Sequence, residues 1–221
     1  MQLLKNRKLA LVSLFLIITA ILIGGCKVDF EIKDTDPKEE ELLNSRAMKD
    51  DKSVKFLSLN PNEKNYLTFT SGTKGYKMLF HKDAIVQNFT YELKDDKYEF
   101  VEVTFKIKPD NLELYQKNKY FNNYIGEDAN YLVDDMKEKL NGANVKHYVK
   151  KDNEYYTARL LNKVDGVPFN EFFAIIHSKK FKTRSVSFYG YASCADVKKT
   201  CNAEDKRVEK HFNKIIESFE F

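Results

Sequence analysis

Apolar and polar residues alternate with a period of two along much of the chain beyond residue 53, which is typical of half-buried β-strands. The clearest run is YEFVEVTFKIK at 98–108, in which every second residue from Val101 to Ile107 is apolar. Shorter runs predict further strands. They lie at 54–59, 66–70, 76–81, 85–93, 144–150, 154–163, 169–178 and 182–192.

The period changes to that of an amphipathic helix in two places. Residues 127–140 bring Leu132, Met136 and Leu140 onto one face. Residues 203–218 form a second stripe of this kind, which contains Val208, Phe212, Ile215, Ile216 and, just beyond, Phe219. Residues 110–121 are rich in aromatic residues and Asn, and we predict a short helix or an ordered loop there.

Together these elements predict an α+β fold, in which a single antiparallel β-sheet has helices packed against it. We assign residues 54–221 to one domain. Residues 26–53 are rich in Lys, Asp and Glu and contain few aliphatic side chains. Such a segment cannot bury enough apolar surface to offset the entropy of ordering it, so we predict a flexible charged tether. The Asp-Pro-Lys-Glu run at 36–39 could begin a short helix within it.

The N-terminal residues have the pattern of a secretory signal peptide. Residues 1–8 carry three positive charges, and residues 9–23 are apolar except for Ser13 and Thr19. As a helix, the 15 apolar residues would span roughly 22 Å, less than the ~30 Å of a bilayer core. We therefore predict a cleaved signal peptide over 1–25. The alternative is an uncleaved single-span anchor.

The end of this segment, Ile23-Gly24-Gly25-Cys26, resembles the lipobox of bacterial lipoproteins. The resemblance implies that Cys26 is lipidated, with palmitate among its acyl chains, and becomes the first residue of the mature protein. Several acyl chains would hold the protein firmly in a membrane of the bacterial envelope. Residue 27 is Lys rather than Asp, which by analogy with enterobacteria favours the outer membrane, on its periplasmic or surface face.

The net charge does not indicate a nucleic-acid partner. The 221 residues contain 37 Lys and Arg against 33 Asp and Glu, a net charge of +4. Lys5, Arg7 and Lys8 lie in the predicted signal peptide, and removing these three leaves 34 basic against 33 acidic residues. The mature chain is therefore nearly neutral, without the basic excess that favours nucleic-acid binding.

Cys194 and Cys201 remain once Cys26 is assigned to lipid. An even pair in an exported protein favours a disulfide bond. A redox-active or metal-binding pair is the alternative, although the spacing is not that of a C-x-x-C motif.

The order of elements is similar to that of the PsbP-like fold, including small periplasmic lipoproteins of the DcrB type. The matching stretches are YEFVEVTFKIK, NYLVDDMKEKL, the strands from 144 to 192, and the terminal FNKIIESFEF. The resemblance implies an α/β/α sandwich. It also implies a binding, assembly or stability role, because members of this family share no catalytic residues.

Candidate catalytic groups are few. None of the four histidines lies in a metal-binding motif. They are His81, His147, His177 and His211. We therefore predict no metal, no cofactor and no enzymatic activity. The alternative is an envelope hydrolase that uses paired carboxylates, for which Asp95-Asp96 and Asp134-Asp135 are the candidates.

Aromatic residues with polar neighbours form the candidate partner-binding surface. They are Tyr115, Tyr120, Phe121, Tyr124 and Tyr131. Aromatic side chains suit recognition because they add contact area at a low entropy cost. They could instead be ordinary core and rim at one end of the sheet. We interpret the chain as a membrane-anchored, non-catalytic envelope lipoprotein that binds a protein or another envelope component.

Overall fold

The computed structural model of the chain describes residues 37–87, 89–141, 144–164 and 166–221. The predicted signal peptide, Cys26 and the first part of the predicted tether lie outside these described residues.

The described residues form five α-helices and eleven β-strands. The helices are α1 (Pro37–Leu43), α2 (Arg46–Lys49), α3 (Tyr124–Glu127), α4 (Ala129–Lys139) and α5 (Lys206–Ile216). The strands are β1 (Leu57–Ser58), β2 (Tyr66–Thr70), β3 (Lys77–His81), β4 (Ile85–Val86), β5 (Glu92–Lys94), β6 (Tyr98–Ile107), β7 (Leu112–Asn122), β8 (Lys146–Lys150), β9 (Asn153–Val164), β10 (Val167–Ser178) and β11 (Arg184–Cys194).

The strands form two antiparallel sheets, so the α+β class is confirmed and the prediction of a single sheet is wrong. The large sheet has the order β4-β6-β7-β11-β10-β9-β8, with β5 also paired to β6. A separate sheet has the order β1-β2-β3. Leu67, Phe69 and Phe80 of this small sheet are almost fully buried in the core. Periodicity predicts that these segments are strands, but it cannot show which strands they pair with.

The main core lies on one face of the large sheet, under the small sheet and α5. Val101 of β6, Leu114 of β7, Phe188 of β11 and Ile176 of β10 point into it. Phe212 of α5 packs between the strands and the rest of that helix. The amphipathic stripe predicted near the C-terminus is therefore confirmed as the part of the chain that closes this core.

A smaller core lies on the opposite face of the large sheet, under α4. Leu132, Val133 and Met136 of α4 pack against Ala158 and Ile175 of the strands. The helix starts where the Asp128 carboxylate accepts a hydrogen bond from the Tyr131 backbone amide at 3.0 Å, which is the usual role of an N-cap Asp. The predicted helix over 127–140 is confirmed.

Most of the segment 110–121 lies in β7, from Leu112 onward, rather than in the predicted short helix or loop. Gln116 and Asn118 occupy core-facing positions where alternation would require apolar residues. The amide of Gln116 bonds to the side-chain oxygen of Asn118 at 3.1 Å, and both amides donate to the sulfur of Met78. These contacts satisfy the polar groups within the core. The alternating pattern did not predict the strand because these two buried residues are polar.

The segment 37–53, which we assigned to the tether, packs on the body in the structure. Leu42 and Ala47 are buried in the main core. The amide of Ala47 donates to the carbonyl of Lys82, and the hydroxyl of Ser53 accepts from the amide of Val86. The packed body therefore begins before residue 54, because a few small and apolar side chains find partners that only the folded chain provides.

Candidate binding surface

Helices α3 and α4 cover only part of the second face of the large sheet. The remainder, which we call the open face, lies on β6, β7, β11 and β10. Two rows of paired residues run across these strands and form the open face. One row contains Glu102, Lys117, Tyr189 and Phe173, and the other contains Thr104, Tyr115, Tyr191 and Glu171. Phe169 lies beyond the second row.

The rings of the open face stack on one another across the strands. Tyr191 lies 4.9 Å from Tyr115 and 4.6 Å from Phe169, measured between ring centroids, and both pairs are nearly parallel. Tyr189 lies 5.0 Å from Phe173. Ring faces are thus partly occupied by neighbouring rings. Such rings combine apolar contact area with polar tips, and they are stiff.

One carboxylate of the open face is nearly buried. Glu102 lies 3.2 Å from the ammonium of Lys117. Burial alone would raise the pKa of Glu102, but the hydroxyl of Tyr115 and the charge of Lys117 outweigh burial and hold the pKa below its usual value. Conversely, burial and the neighbouring Glu102 raise the pKa of Tyr115. The site therefore holds an ionised carboxylate beside a neutral tyrosine.

A second carboxylate, Glu171, accepts a hydrogen bond from the hydroxyl of Tyr189 at 2.9 Å and one from the amide of Asn162 at 2.6 Å. Burial, together with this bond to Glu171, raises the pKa of Tyr189. Glu102 and Glu171 are three strands apart, so their backbones are separated by roughly 14 Å, at about 4.8 Å per strand. Carboxylate pairs of glycosidases lie about 5–10 Å apart, which is less than the backbone separation of these two residues.

The residues predicted to bind a partner do not form one surface. Only Tyr115 lies on the open face. Tyr120 is fully buried on the opposite face of the sheet, where its ring lies 5.4 Å from that of Tyr76. Phe121 packs beneath α3 and α4. Tyr124 and Tyr131 are 79% and 60% exposed on those helices. Because β7 is a strand, consecutive residues of the cluster point to opposite faces.

Sequence reasoning missed Phe169, Glu171, Tyr189 and Tyr191 as site residues. Tyr189 and Tyr191 are two positions apart in a run correctly predicted as a strand, so their shared face could have been noticed. Their proximity to Tyr115 could not, because it depends on the pairing of β11 with β7.

The predicted acidic pairs lie apart from the open face. Asp134 is paired with Lys137 at 3.2 Å and Asp135 with Lys139 at 2.5 Å on the outer side of α4. Asp95 and Asp96 lie in the turn between β5 and β6. Among the described residues, no cluster of three or more His, Cys, Asp or Glu side chains could hold a metal ion.

Cys194 and Cys201 are joined by a disulfide bond, as predicted. The bridged loop is held by Asn111, whose amide nitrogen donates to the carbonyls of Asp196 and Lys199 at 2.9 and 3.0 Å. The side-chain oxygen of Asn111 accepts from the amide of Asp196 at 3.0 Å. The disulfide bond and the hydrogen bonds of Asn111 therefore fix the chain between β11 and α5.

Within the part of the chain that the structure describes, no helix has both the length and the apolar character needed to cross a membrane. A family model described as "Putative lipoprotein YvcA" matches residues 43–220. Comparison with curated proteins gives no match.

Among solved structures, the chain is similar to a crystal structure from Bacteroides thetaiotaomicron VPI-5482, with 14% sequence identity and a TM-score of 0.38. The match covers 69% of this chain and 47% of that one, so the chain spans about half the length of the solved protein.

Proposed function

We propose, from the premise that this chain belongs to the family described as "Putative lipoprotein YvcA", that it is a lipoprotein anchored in the bacterial envelope through Cys26. Removal of residues 1–25 would expose Cys26 as the lipidated N-terminus, and palmitate would be among its acyl chains. The lipobox-like residues Ile23-Gly24-Gly25-Cys26 support this proposal. The disulfide supports a location outside the cytoplasm, because such bonds persist in oxidising compartments. We place the body in the periplasm or on the cell surface and favour the outer membrane.

We further propose that the layers belong to a PsbP-like sandwich. The large sheet lies between α5 and the small sheet on one face and α4 on the other. This α/β/α order supports the assignment.

The proposed activity is non-catalytic binding of a protein partner through the open face. One observation carries this proposal: the described residues leave part of the large sheet uncovered, and that part carries a stacked set of rings around Tyr191. Aromatic residues are enriched in the centres of protein interfaces because they bury much area at a low entropy cost. Glu171, which is only partly buried, adds a fixed acceptor that would set the orientation of a partner.

Site-specific photocrosslinking in intact cells tests this proposal. A photoreactive phenylalanine analogue would replace Tyr191 on the open face or, as the matched control, the exposed Tyr131 on α4. We expect position 191 to give one dominant crosslinked protein, with the crosslink mapped to a single segment of that protein. We also expect Tyr189→Ala to reduce its yield at least five-fold. Equal yields of the same crosslinks from positions 191 and 131 would contradict the proposal.

A further inference from the structure

A cleft of about 240 Å³ opens between α4 and the strands β7, β11 and β10. It adjoins the open face through Lys117 and Tyr189, which line both. Its volume is below the range of about 300–1,000 Å³ that is typical of pockets for drug-sized ligands. The cleft therefore suits a narrow group such as one short chain better than a fused ring system.

The inner surface of the cleft is mainly apolar. Leu132 and Met136 project from α4 and are themselves almost fully buried. Phe173 packs against Tyr189 at 5.0 Å and forms the neighbouring wall. Ser187 adds a small side chain from β11 between them. An alkyl chain placed here would exchange water for apolar contacts on several sides, which is favourable.

The rim of the cleft is basic. Three basic residues, Lys117, Lys119 and Lys139, line the cleft together with a single acidic residue, Asp135. Lys139 is paired with Asp135, and Lys117 with Glu102 outside the cleft. In the described part of the chain, Lys119 has no carboxylate within ion-pair distance. Its ammonium lies 5.9 Å from the ring centroid of Phe100.

We propose that this cleft binds an anionic amphiphile, with a short stretch of acyl chain against Leu132, Met136 and Phe173 and an acidic head group at Lys119. Fatty acids and anionic lysophospholipids both have this combination of an acyl chain and an acidic head group. An apolar interior beside an excess of positive charge selects this class over neutral and cationic amphiphiles. The inference rests on the proposed membrane anchoring only for the source of the ligand, since a body held at a lipid surface meets such molecules at high local concentration.

Photolabelling of the lipidated mature protein in neutral phosphatidylcholine nanodiscs tests the proposal. The probe is dodecanoic acid that carries a diazirine, and labelled peptides are mapped by mass spectrometry. We expect labelling concentrated in the peptides that contain Met136 and Phe173. Excess dodecanoate should suppress it at least ten-fold, whereas dodecyltrimethylammonium and dodecanol should not. Labelling spread evenly over the surface, or suppressed equally by all three competitors, would overturn the proposal.

Variants separate the apolar and charged contributions. Ser187→Trp fills the cleft and should abolish the labelling. Lys119→Glu reverses the charge at an exposed position, so it is expected to fold and to reduce labelling at least ten-fold. The matched control, Lys182→Glu, changes an exposed lysine in the β10–β11 turn and should leave labelling unchanged. If Ser187→Trp does not fold, Lys119→Glu alone decides, and equal labelling in Lys119→Glu and Lys182→Glu would refute the proposal.

Two competitors distinguish the ligand source. Competition at lower concentration by dodecanoate indicates a free fatty acid, and competition at lower concentration by lysophosphatidylglycerol indicates a membrane lipid; each supports the proposal. Failure of the open-face function would appear separately, as loss of specific crosslinks from Tyr191 while dodecanoate labelling persists.

Discussion

The hydroxyl of Tyr66 and Nδ1 of His211 lie 2.9 Å apart and join β2 of the small sheet to α5. The ring of His81 lies 5.7 Å from that of His211 and stacks on Phe105 of the large sheet at 4.5 Å. Burial and the neighbouring His81 lower the pKa of His211 to about 3. Burial lowers the pKa of His81 to about 4; the nearby Asp83 opposes this shift and Lys82 adds to it. Both histidines are therefore neutral, and they lie where the small sheet, the large sheet and α5 meet.

This cluster predicts that stability falls in mild acid. In the unfolded chain both histidines titrate near the ordinary pKa of about 6.5. Between that pH and their folded pKa values the unfolded state binds more protons, so the free energy of unfolding decreases as pH falls. We expect a loss on the order of 4 kcal/mol between pH 7 and pH 5, roughly 2 kcal/mol from each histidine, measured by urea denaturation. His211→Gln should make the loss clearly smaller.

The control for this experiment is His147→Gln. His147 lies on β8, where it is exposed and stacks on Tyr156. Its replacement should leave the pH dependence as in the parent protein. If the free energy of unfolding falls with pH as steeply in His211→Gln as in the parent protein, the acid sensitivity arises elsewhere.

A side chain at position 190, where the protein has Gly190, is predicted to destabilise the fold. A Cβ atom at this position would lie 2.6 Å from Cε1 of Phe212 and 3.1 Å from Cε1 of Phe188. Gly190→Ala must displace the helix or the rings, and we expect a loss of about 1–3 kcal/mol in stability. Thermal unfolding measures it. Ser193→Ala, on the other face of the same strand, should change stability little, and equal melting temperatures for both variants would contradict this prediction.

Asn111 is predicted to stabilise the disulfide loop through both its side chain and its backbone. Its φ is 51°, in the left-handed region that favours Gly and Asn. Asn111→Gly keeps that conformation but removes the hydrogen bonds to the loop, at an expected cost of about 1–3 kcal/mol. Asn111→Ala adds backbone strain and should be less stable than Asn111→Gly in urea denaturation. The reverse order would refute this explanation.

Reduction of the Cys194–Cys201 bond is predicted to weaken the fold without abolishing it. The loop is short, so the entropy model predicts a contribution of about 2.5 kcal/mol. We expect the urea midpoint to fall when a reductant is added. The double variant Cys194→Ser/Cys201→Ser should show the lowered midpoint with or without reductant. An effect of reductant on that variant would point to a different cause.

Cys26 is predicted to determine membrane attachment. In Cys26→Ser the lipid-accepting thiol is absent, so we expect loss of the lipid mass from the N-terminal peptide in mass spectrometry and loss of anchoring by acyl chains. Cys194→Ser should retain the lipid. An unmodified Cys26 in the membrane fraction of the parent protein would disprove lipidation.

Several structural features could be predicted because they depend on local periodicity. The strand β6 and the helices α4 and α5 carry their apolar residues at regular spacing, and each was found where the pattern placed it. The strand β7 was missed because Gln116 and Asn118 replace apolar residues on its buried face. The folded start of the body was missed because the burial of Leu42 and Ala47 depends on partners far along the chain.

By itself, the sequence determined the α+β class, the main amphipathic elements and, from the two cysteines that remain once Cys26 is assigned to lipid, the pairing of Cys194 with Cys201. These follow from residue order over short distances, or from parity. Tertiary structure alone decided that Tyr115 faces outward beside Tyr191 while Tyr120 is buried, and that the strands separate into two sheets. The reason is that a strand has two faces, and which face is covered depends on pairing and packing between segments distant in the sequence.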